Sequence, residues 1–393
     1  MKAYVLDGVW DPKPEYLPPQ RDLRDKRAVF SKMIYRNLKA GIVDVPLPKV
    51  GDDDVLIKVG ACGVCGSDMH AGNMDEEGYT KYAGHLRLPV IMGHEFSGEI
   101  AEVGRNIKKL KPGDLIAVEQ MRPCGKCDAC KAGYFNSCRE IEEVGLSVDG
   151  AFCEFACVPE HYCCPINDIA QMLGNKVAAF EAGALAEPAG VAYNGIAVRG
   201  KGIAPGTYAA IFGTGPIGLA AISLAKAAGA AQIFAIDLSH ERLKLAKACG
   251  ADYLLNPLDL AEQKLQIADV VLEYTQGIGC QTVVEAAGAP ESTYPQIVTL
   301  MSINANVVVL GRCPRLAPMD LEQFIVKGCS LSGSIGTAGS NIITSVLSLM
   351  ANGRIDMRKI ITGRFTLENT QAGIDEARLG HHGKVMISQF YGN

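Results

Sequence analysis

The chain has 393 residues, of which 48% are hydrophobic and 21% are charged, and its formal net charge is -5. This length exceeds the size at which one hydrophobic core usually stops growing, so two domains are expected. The acidic balance argues against a general nucleic-acid binder, which would carry a basic excess. The N-terminus breaks off into acids and prolines too early for a signal peptide, and no apolar run reaches the roughly 18 residues of a membrane span. We therefore expect a cytoplasmic protein whose partners include neither membrane nor nucleic acid.

The N-terminal part predicts short strands separated by irregular segments. Residues 1–7 have the pattern of a strand, and residues 11–32 are rich in proline and charge, which is typical of a loop or short-helix insertion. The compact apolar run 55–59 predicts a strand that leads directly to Cys65. A second irregular stretch, 72–88, follows, and at least one of its ends is expected near this cysteine.

Three separated pieces of sequence carry residues that could surround one metal ion. They are the segments GVCGSDMH at 63–70, GHE at 93–95 and EP at 187–188. A catalytic zinc site needs about three protein ligands and one open position, and the candidate ligands here are Cys65, His94, Glu95 and Glu187. Glu187 stands among alanines, where an unpaired ionised carboxylate is costly, so it is either solvated in a cleft or faces a cation. Ser67 and His70 are spaced to carry a proton away from such a site.

Four cysteines follow at close spacing and predict a second metal site. They are Cys124, Cys127, Cys130 and Cys138. Four thiolates this close in sequence can wrap a tetrahedral zinc ion and leave no position for substrate, so this site is expected to be structural. The chain has fourteen cysteines, and without a secretion signal the other ten favour metal ligands or buried thiols over a disulfide framework.

From residue 206 onward, short apolar strands alternate with helical segments, which indicates a parallel sheet of βαβ units. A strand at 208–212 leads into a glycine loop and a helix at 219–228, and the next strand, 232–236, ends at Asp237. The loop residues are Gly213, Thr214, Gly215, Pro216, Ile217 and Gly218. In this context the pattern predicts dinucleotide binding, with the pyrophosphate at the helix N-terminus and the Asp237 carboxylate on the ribose. An acid there would repel a 2′-phosphate, so NAD is expected over NADP; a tight turn without a nucleotide is the alternative.

The alternation continues to the C-terminus. The further predicted elements are a helix at 239–248, strands at 282–285, 306–310 and 329–335, a helix at 341–352 and a strand at 384–388. Gly311, directly after one of these strands, is a further candidate cofactor contact. We expect a catalytic domain at 1–188, a nucleotide-binding domain at 189–335, and a segment at 336–393 that returns to the first domain.

A zinc site and a dinucleotide fold in one chain suggest hydride transfer. Zinc polarises an alcohol oxygen and lowers its pKa, so that hydride can leave the carbon for the nicotinamide. Ser67 and His70 would pass the hydroxyl proton outward as a relay.

These motifs, in this order, resemble the zinc-dependent medium-chain dehydrogenase/reductase family, and within it the polyol and threonine dehydrogenase branch. The resemblance covers nearly the whole chain and implies an α/β protein: a GroES-like, β-rich catalytic domain and a Rossmann domain with a doubly wound parallel sheet. It implies that Cys65 and His94 bind the catalytic zinc. Glu95 is a ligand in some members and lies behind the ligands in others, and Glu187 takes the position of a cysteine in classical alcohol dehydrogenases.

The same resemblance implies roles for two further residues and an oligomeric state. Asp68 matches the carboxylate that orients the histidine ligand. Arg242 matches a basic residue near the adenosine ribose. Dimers or tetramers are usual in the family, so a homo-oligomer, such as a homotetramer, is expected.

The 11–32 insertion and a slightly longer 70–94 segment depart from the sorbitol dehydrogenases. Long members of this kind resemble the cyclitol (scyllo-inosose) dehydrogenases. We therefore expect a polyol, cyclitol or sugar-derived alcohol as the small-molecule substrate. Threonine or an amino alcohol is the alternative substrate, and a non-enzymatic nucleotide-binding protein is the alternative class.

Overall fold

The computed structural model describes residues 1–313 and 316–390, and the chain divides into two compact units. Unit 1 comprises Met1–Glu187, Thr362–Gly380 and the chain from Lys384 onward. Unit 2 comprises Pro188–Ile361 and His381–Gly383.

The elements are numbered in chain order. The strands are β1 Lys2–Trp10, β2 Tyr35–Asp44, β3 Asp54–Gly63, β4 Val90–Ile91, β5 Glu95–Val103, β6 Leu115–Val118, β7 Met121–Arg122, β8 Glu142–Glu143, β9 Phe155–Pro159, β10 Cys163–Pro165, β11 Tyr208–Phe212, β12 Gln232–Ile236, β13 Tyr253–Leu255, β14 Cys280–Glu285, β15 Met301–Val309, β16 Ser330–Gly333, β17 Ile361–Phe365 and β18 Lys384–Ile387. The α-helices are α1 Gln20–Asp25, α2 Gly66–Ala71, α3 Asp128–Lys131, α4 Asn167–Leu173, α5 Lys176–Ala184, α6 Ala186–Tyr193, α7 Pro216–Ala228, α8 His240–Cys249, α9 Pro257–Glu262, α10 Ile267–Tyr274, α11 Pro290–Leu300, α12 Leu321–Lys327, α13 Ile342–Ala351 and α14 Thr370–Arg378. A π-helical segment, Asn194–Arg199, continues α6.

Unit 1 is built on a seven-stranded sheet in the order β10-β6-β5-β3-β18-β17, with β9 also pairing with β3. β3 is nearly continuous in buried residues, because strands pack on both of its edges and the core covers its faces. The antiparallel pairing of β3 with β5 ends at Gly63 and Glu95. The segment with Cys65 leaves β3, and the segment with His94 enters β5, at the same end of this strand pair.

The last strand of the chain completes this sheet. Met386 in β18 pairs with Gly63, and Ile387 pairs with Cys62. The 384–388 strand thus returns to the first part of the chain, as expected. The α13 helix instead lies in unit 2, where its apolar residues are buried, so the contact boundary falls after Ile361 and not at residue 335.

The 11–32 insertion contains one short helix, α1, and packs on the segment that follows the four cysteines. Arg21 donates to the carbonyl of Arg139 at 2.9 Å, and Arg27 donates to Glu140 at 3.2 Å. Asp22 is fully buried and accepts from the backbone N–H of Val29. The insertion is therefore an ordered part of unit 1.

Unit 2 holds a six-stranded sheet in the order β13-β12-β11-β14-β15-β16, and every pair in it is parallel. The first strand in the chain, β11, is central, and the order reverses on either side of it, which is the doubly wound arrangement. Its central strands β11, β12 and β14 are mostly apolar and buried, as parallel strands covered on both faces must be. The carboxyl end of β11 is consequently the switch point at which such sheets bind ligands. Within the described residues, no helix has the length and apolar character needed to span a membrane.

Candidate active site

Cys65 and His94 are brought together by the two strands that end beside each other. Cys65 is the N-cap of α2, and its backbone N–H donates to Asp68 at 2.8 Å. Gly93, just before the histidine, has φ +88, and a Cβ there would lie 2.7 Å from Phe152, so only glycine fits this turn.

The donor atoms of Cys65, His94 and Glu95 all lie within 4.8 Å of one another. His94 and Glu95 are buried, and Cys65 is partly exposed. A thiolate, an imidazole and a carboxylate at this separation fit the donor set of a catalytic zinc ion, which leaves one position open. These three residues could therefore hold the ion.

His94 is oriented from both sides of its ring. Its Nδ1 lies 3.6 Å from Asp68, which is fully buried, and its Nε2 lies 3.2 Å from Ser67 Oγ. Neither His94 Nδ1 nor the facing Asp68 oxygen makes a hydrogen bond within the described residues. A metal on Nε2 would require Nδ1 to carry the proton, and the carboxylate is placed to receive it. The pKa of His94 is pulled down by burial, but Asp68 and Cys65 outweigh this and raise it well above its ordinary value.

Glu95 is held by a buried lysine. Lys384 Nζ lies 2.7 Å from one Glu95 oxygen and 2.6 Å from the other, and it also donates to the carbonyl of Val64 at 3.0 Å. Burial lowers the pKa of Lys384, but Glu95 and Cys65 more than compensate, so the pKa is raised and the lysine is charged. A carboxylate oxygen has more than one lone pair, so Glu95 can keep this partner and still face a metal.

Glu187 lies close to this cluster but outside its 4.8 Å set. It is buried, and burial followed by the negative charge of Glu95 raises its pKa to about 7. Its Oε1 accepts from Gln120 Nε2 at 3.4 Å. Of the two carboxylates predicted as ligands, Glu95 is therefore the one grouped with the cysteine and histidine.

Ser67 and His70 lie three residues apart on α2, so they share one face of the helix. Ser67 contacts His94, while His70 is exposed. This places one end of the predicted relay at the metal cluster and the other in solvent.

The four cysteines of the second motif form a compact cluster whose sulfur atoms lie within 4.8 Å of one another. Cys127 Sγ is 3.6 Å from Cys130 Sγ and 3.8 Å from Cys138 Sγ. A ZnS₄ tetrahedron with Zn–S bonds of about 2.3 Å has edges of about 3.8 Å, so the cluster fits zinc. Backbone N–H groups also point at the sulfur atoms, and they lower the pKa of Cys127 to about 6. The Cys127 thiol is thus prepared to bind metal as a thiolate, whereas burial raises the pKa of Cys130 and of Cys138.

The glycine loop joins β11 to α7, with Gly215 as the N-cap and Pro216 in the first turn. A Cβ on Gly218 would lie 1.8 Å from the carbonyl of Gly213, so the tight turn requires glycine. Asp237 follows β12 and accepts from Thr214 N–H at 2.6 Å and from Thr214 Oγ1 at 3.0 Å. The carboxylate therefore lies against the loop that would hold the pyrophosphate.

The other predicted cofactor residues surround the same loop. Arg242 Nη1 lies 4.0 Å from the Cβ position of Gly215, and burial lowers the pKa of this arginine. Ile217 is the second residue of α7. Gly311 follows β15, and a Cβ there would lie 2.2 Å from the backbone nitrogen of Gly288.

Two residues of the metal site were not found by sequence reasoning. Lys384 opens a buried apolar strand, and a charge at the start of the run Lys-Val-Met-Ile was a signal that it has a buried partner. Gln120 carried no signal, because a glutamine between two strands is ordinary in sequence.

A zinc-binding donor cluster on a β-rich unit, together with a doubly wound parallel sheet carrying a dinucleotide loop, defines a zinc-dependent dehydrogenase. The comparisons agree with this class. The family model described as alcohol dehydrogenase GroES-like domain matches residues 51–168, and the one described as zinc-binding dehydrogenase matches residues 216–352. The chain belongs to the zinc-binding alcohol dehydrogenase family.

Similar proteins cover almost the full chain. Scyllo-inosose 3-dehydrogenase of Thermotoga maritima is 38% identical over 94% of this chain and 94% of its own. L-threonine 3-dehydrogenase of Caldanaerobacter subterraneus is 34% identical over 90% of this chain and 96% of its own. A solved Thermotoga maritima structure assigned as an alcohol dehydrogenase has a TM-score of 0.93 and 36% identity, and it covers 98% of this chain and 99% of its own.

The predicted family, fold class and enzyme class are thereby confirmed. The chain is a zinc- and NAD-dependent oxidoreductase that interconverts an alcohol and its carbonyl compound by hydride transfer. The roles of individual site residues stay predictions.

Proposed function

We propose that the chain interconverts a ring hydroxyl of a cyclitol and the corresponding inosose, with NAD as hydride acceptor. The observation that carries this proposal is the 38% identity to scyllo-inosose 3-dehydrogenase over 94% of both chains. The solved Thermotoga maritima structure also covers 98% of the chain, so its coverage extends into the 11–32 insertion. A polar insertion beside a long 70–94 segment suits a substrate with many hydroxyl groups.

In the proposed mechanism, Cys65, His94 and Glu95 would hold the catalytic zinc, and Glu187 lies beside them as a second carboxyl group. A zinc ion bound there would supply polarisation of the substrate oxygen, and a bound nicotinamide would supply a hydride acceptor. Ser67 would accept the hydroxyl proton while giving its own proton to His70, which lies on the same face of α2, is exposed and releases a proton to solvent. Asp68 keeps the His94 ring in the orientation in which Nε2 faces the metal.

The remaining predicted residues have separate proposed roles. Cys124, Cys127, Cys130 and Cys138 hold a structural zinc that folds their lobe. The loop from Gly213 to Gly218 binds the pyrophosphate, Asp237 binds the ribose hydroxyls, and Arg242 and Gly311 line the same site.

L-threonine is the second candidate substrate. L-threonine 3-dehydrogenase of Caldanaerobacter subterraneus is 34% identical, but it covers 90% of this chain, a smaller share than the cyclitol enzyme. Threonine would need charged partners for its ammonium and carboxylate groups, whereas a cyclitol needs only hydrogen-bonding groups.

We propose further that the enzyme is a cytoplasmic homo-oligomer. None of the fourteen cysteines forms a disulfide, which is typical of proteins in a reducing compartment. At the edge of the unit 2 sheet, β16 has one side that pairs with no other strand among the described residues, and Leu331 in it is about half exposed. An exposed edge strand of this kind is a natural site for pairing with a second copy of the chain.

The experiment measures zinc content and NADH formation for the wild-type protein and for Cys65→Ala. The substrates are sorbitol, myo-inositol, threonine and simple alcohols, with scyllo-inosose and NADH for the reverse direction. We expect two zinc ions per chain in the wild type and about one in the variant, with turnover of cyclitols by the wild type only. Unchanged zinc content and turnover in the variant would contradict the catalytic-zinc assignment. Preferred turnover of threonine by the wild type would show that threonine, and not a cyclitol, is the substrate.

A further inference from the structure

Gln120 has a buried amide oxygen with no hydrogen-bond partner in the described residues. Its side chain is 7% exposed, and an unpaired buried acceptor costs about 1–3 kcal/mol. A partner that the folded chain does not itself supply, such as a ligand or an ordered water, would remove that cost.

The orientation of this amide follows from Glu187. The amide donates through its Nε2 to Glu187 Oε1 at 3.4 Å, so its NH₂ group faces that carboxyl. The oxygen of Gln120 consequently points away from Glu187 and can only accept.

A hydrogen bond places this residue beside the metal cluster. Gln120 lies two residues beyond the end of β6, and it donates to Glu187, the buried carboxyl that adjoins the cluster. The backbone is fixed on both sides of this position, because Glu119 donates to the carbonyl of Tyr162 and Val144 donates to the carbonyl of Gln120.

From these contacts we infer that Gln120 determines substrate specificity: its amide oxygen accepts a hydrogen bond from a substrate hydroxyl beside the reacting carbinol. This inference rests on the proposed function, because it assigns a partner to a second hydroxyl of a polyhydroxylated ring. An alcohol without that hydroxyl leaves the oxygen unpaired and gains nothing from it. A site that hydrogen-bonds a substrate group rejects analogues that lack it, so the residue separates polyols from simple alcohols.

The test uses the zinc-loaded full chain, with Gln120→Met as the variant, since methionine keeps the length of the side chain and removes the acceptor. Gln171→Met, on the exposed side of α4, is the matched control. The substrate pair is myo-inositol and cyclohexanol, which share a six-membered ring and differ in the neighbouring hydroxyls. Zinc content and thermal midpoint are measured on each protein to show that the fold and metal are retained.

We expect kcat/KM for myo-inositol to fall about 10- to 100-fold in Gln120→Met, while kcat/KM for cyclohexanol stays within about twofold. The dissociation constant of scyllo-inosose, measured by titration calorimetry, should rise in parallel. Gln171→Met should match the wild type throughout.

Two results would overturn the inference and leave the proposed function intact. One is unchanged use of myo-inositol by Gln120→Met. The other is an equal fall for both substrates, which would mean that Gln120 acts only by holding Glu187. A wild-type enzyme that turns over cyclohexanol and no cyclitol would overturn the proposed substrate and this inference together.

Discussion

Lys384 and Glu95 form a fully buried ion pair between the last strand of the chain and the first residue of β5. The Nζ lies within 2.7 Å of both carboxylate oxygens, and each side chain is 1% exposed. The pair joins the C-terminal strand directly to a candidate zinc ligand, so the metal site is complete only when the C-terminus has folded onto unit 1.

Removing only the lysine should destabilise unit 1 strongly. Lys384→Met leaves Glu95 buried and unpaired, and breaking a buried pair in this way costs about 3–5 kcal/mol. Removing both charges, as in Lys384→Met with Glu95→Gln, should recover much of that loss. Urea unfolding followed by the fluorescence of Trp10, the single tryptophan and a residue of unit 1, measures these differences. Equal destabilisation in the single and double variants would show that the pair contributes packing alone.

The four-cysteine lobe should lose its metal independently of the catalytic site. Cys127→Ser removes one thiolate from the cluster, and a structural zinc site with three ligands binds its metal weakly. We expect about one zinc ion fewer per chain and a lower thermal midpoint. Cys157→Ser, a partly exposed cysteine outside both clusters, is the control and should keep both ions. The zinc content of each protein is measured after dialysis. A Cys127→Ser variant that retains two zinc ions would contradict the assignment of the four cysteines as a structural zinc site.

The nucleotide preference should depend on Asp237. Asp237→Ser removes the carboxylate that would bind both ribose hydroxyls and repel a 2′-phosphate. We expect kcat/KM for NAD to fall about tenfold and kcat/KM for NADP to rise, so that the two converge. Thr214 loses an acceptor in the same variant, so Thr214→Val serves as the comparison for that lost contact. An unchanged NAD to NADP ratio in Asp237→Ser would contradict the proposed role.

Local patterns predicted the first two strands of unit 2 well. The runs that became β11 and β12 are short, apolar and bounded by glycine or a polar residue, and their predicted bounds match the structure. By contrast, β2 was missed, because its alternation is weak and most of its residues are exposed or half-buried. It lies beside the insertion and gains its order from pairing with β1.

The metal site shows the same limit. Its cysteine and histidine occur in short motifs that can be recognised in the sequence, and the structure places their donor atoms within 4.8 Å of each other. Lys384 lies 289 residues from Glu95, and no periodicity links such distant positions. Contacts of this kind follow from the order of strands in the sheet, which local sequence does not specify.

Acid should weaken unit 1 through His85. This histidine is mostly buried, and burial, followed by the charges of Arg27 and Arg21, lowers its pKa to about 4. The ordinary pKa of about 6.5 applies in the unfolded chain, which therefore binds the proton more readily. The neutral His85 therefore contributes its full share to the free energy of unfolding above pH 6.5, and this share is lost as the pH falls through about 4. The difference amounts to about 3 kcal/mol when fully expressed.

His85→Gln cannot take up that proton, so its stability should fall less steeply than that of the wild type between pH 6.5 and 4. Urea midpoints of Trp10 fluorescence at pH 7, 5.5 and 4.5 measure the slopes, and loss of metal in acid affects both proteins alike. His240→Gln, an exposed histidine of unit 2, should keep the wild-type slope. A buried neutral His85 must make the stability of unit 1 depend on pH in this range. If His85→Gln also keeps the wild-type slope, the acid sensitivity of unit 1 therefore arises from other groups.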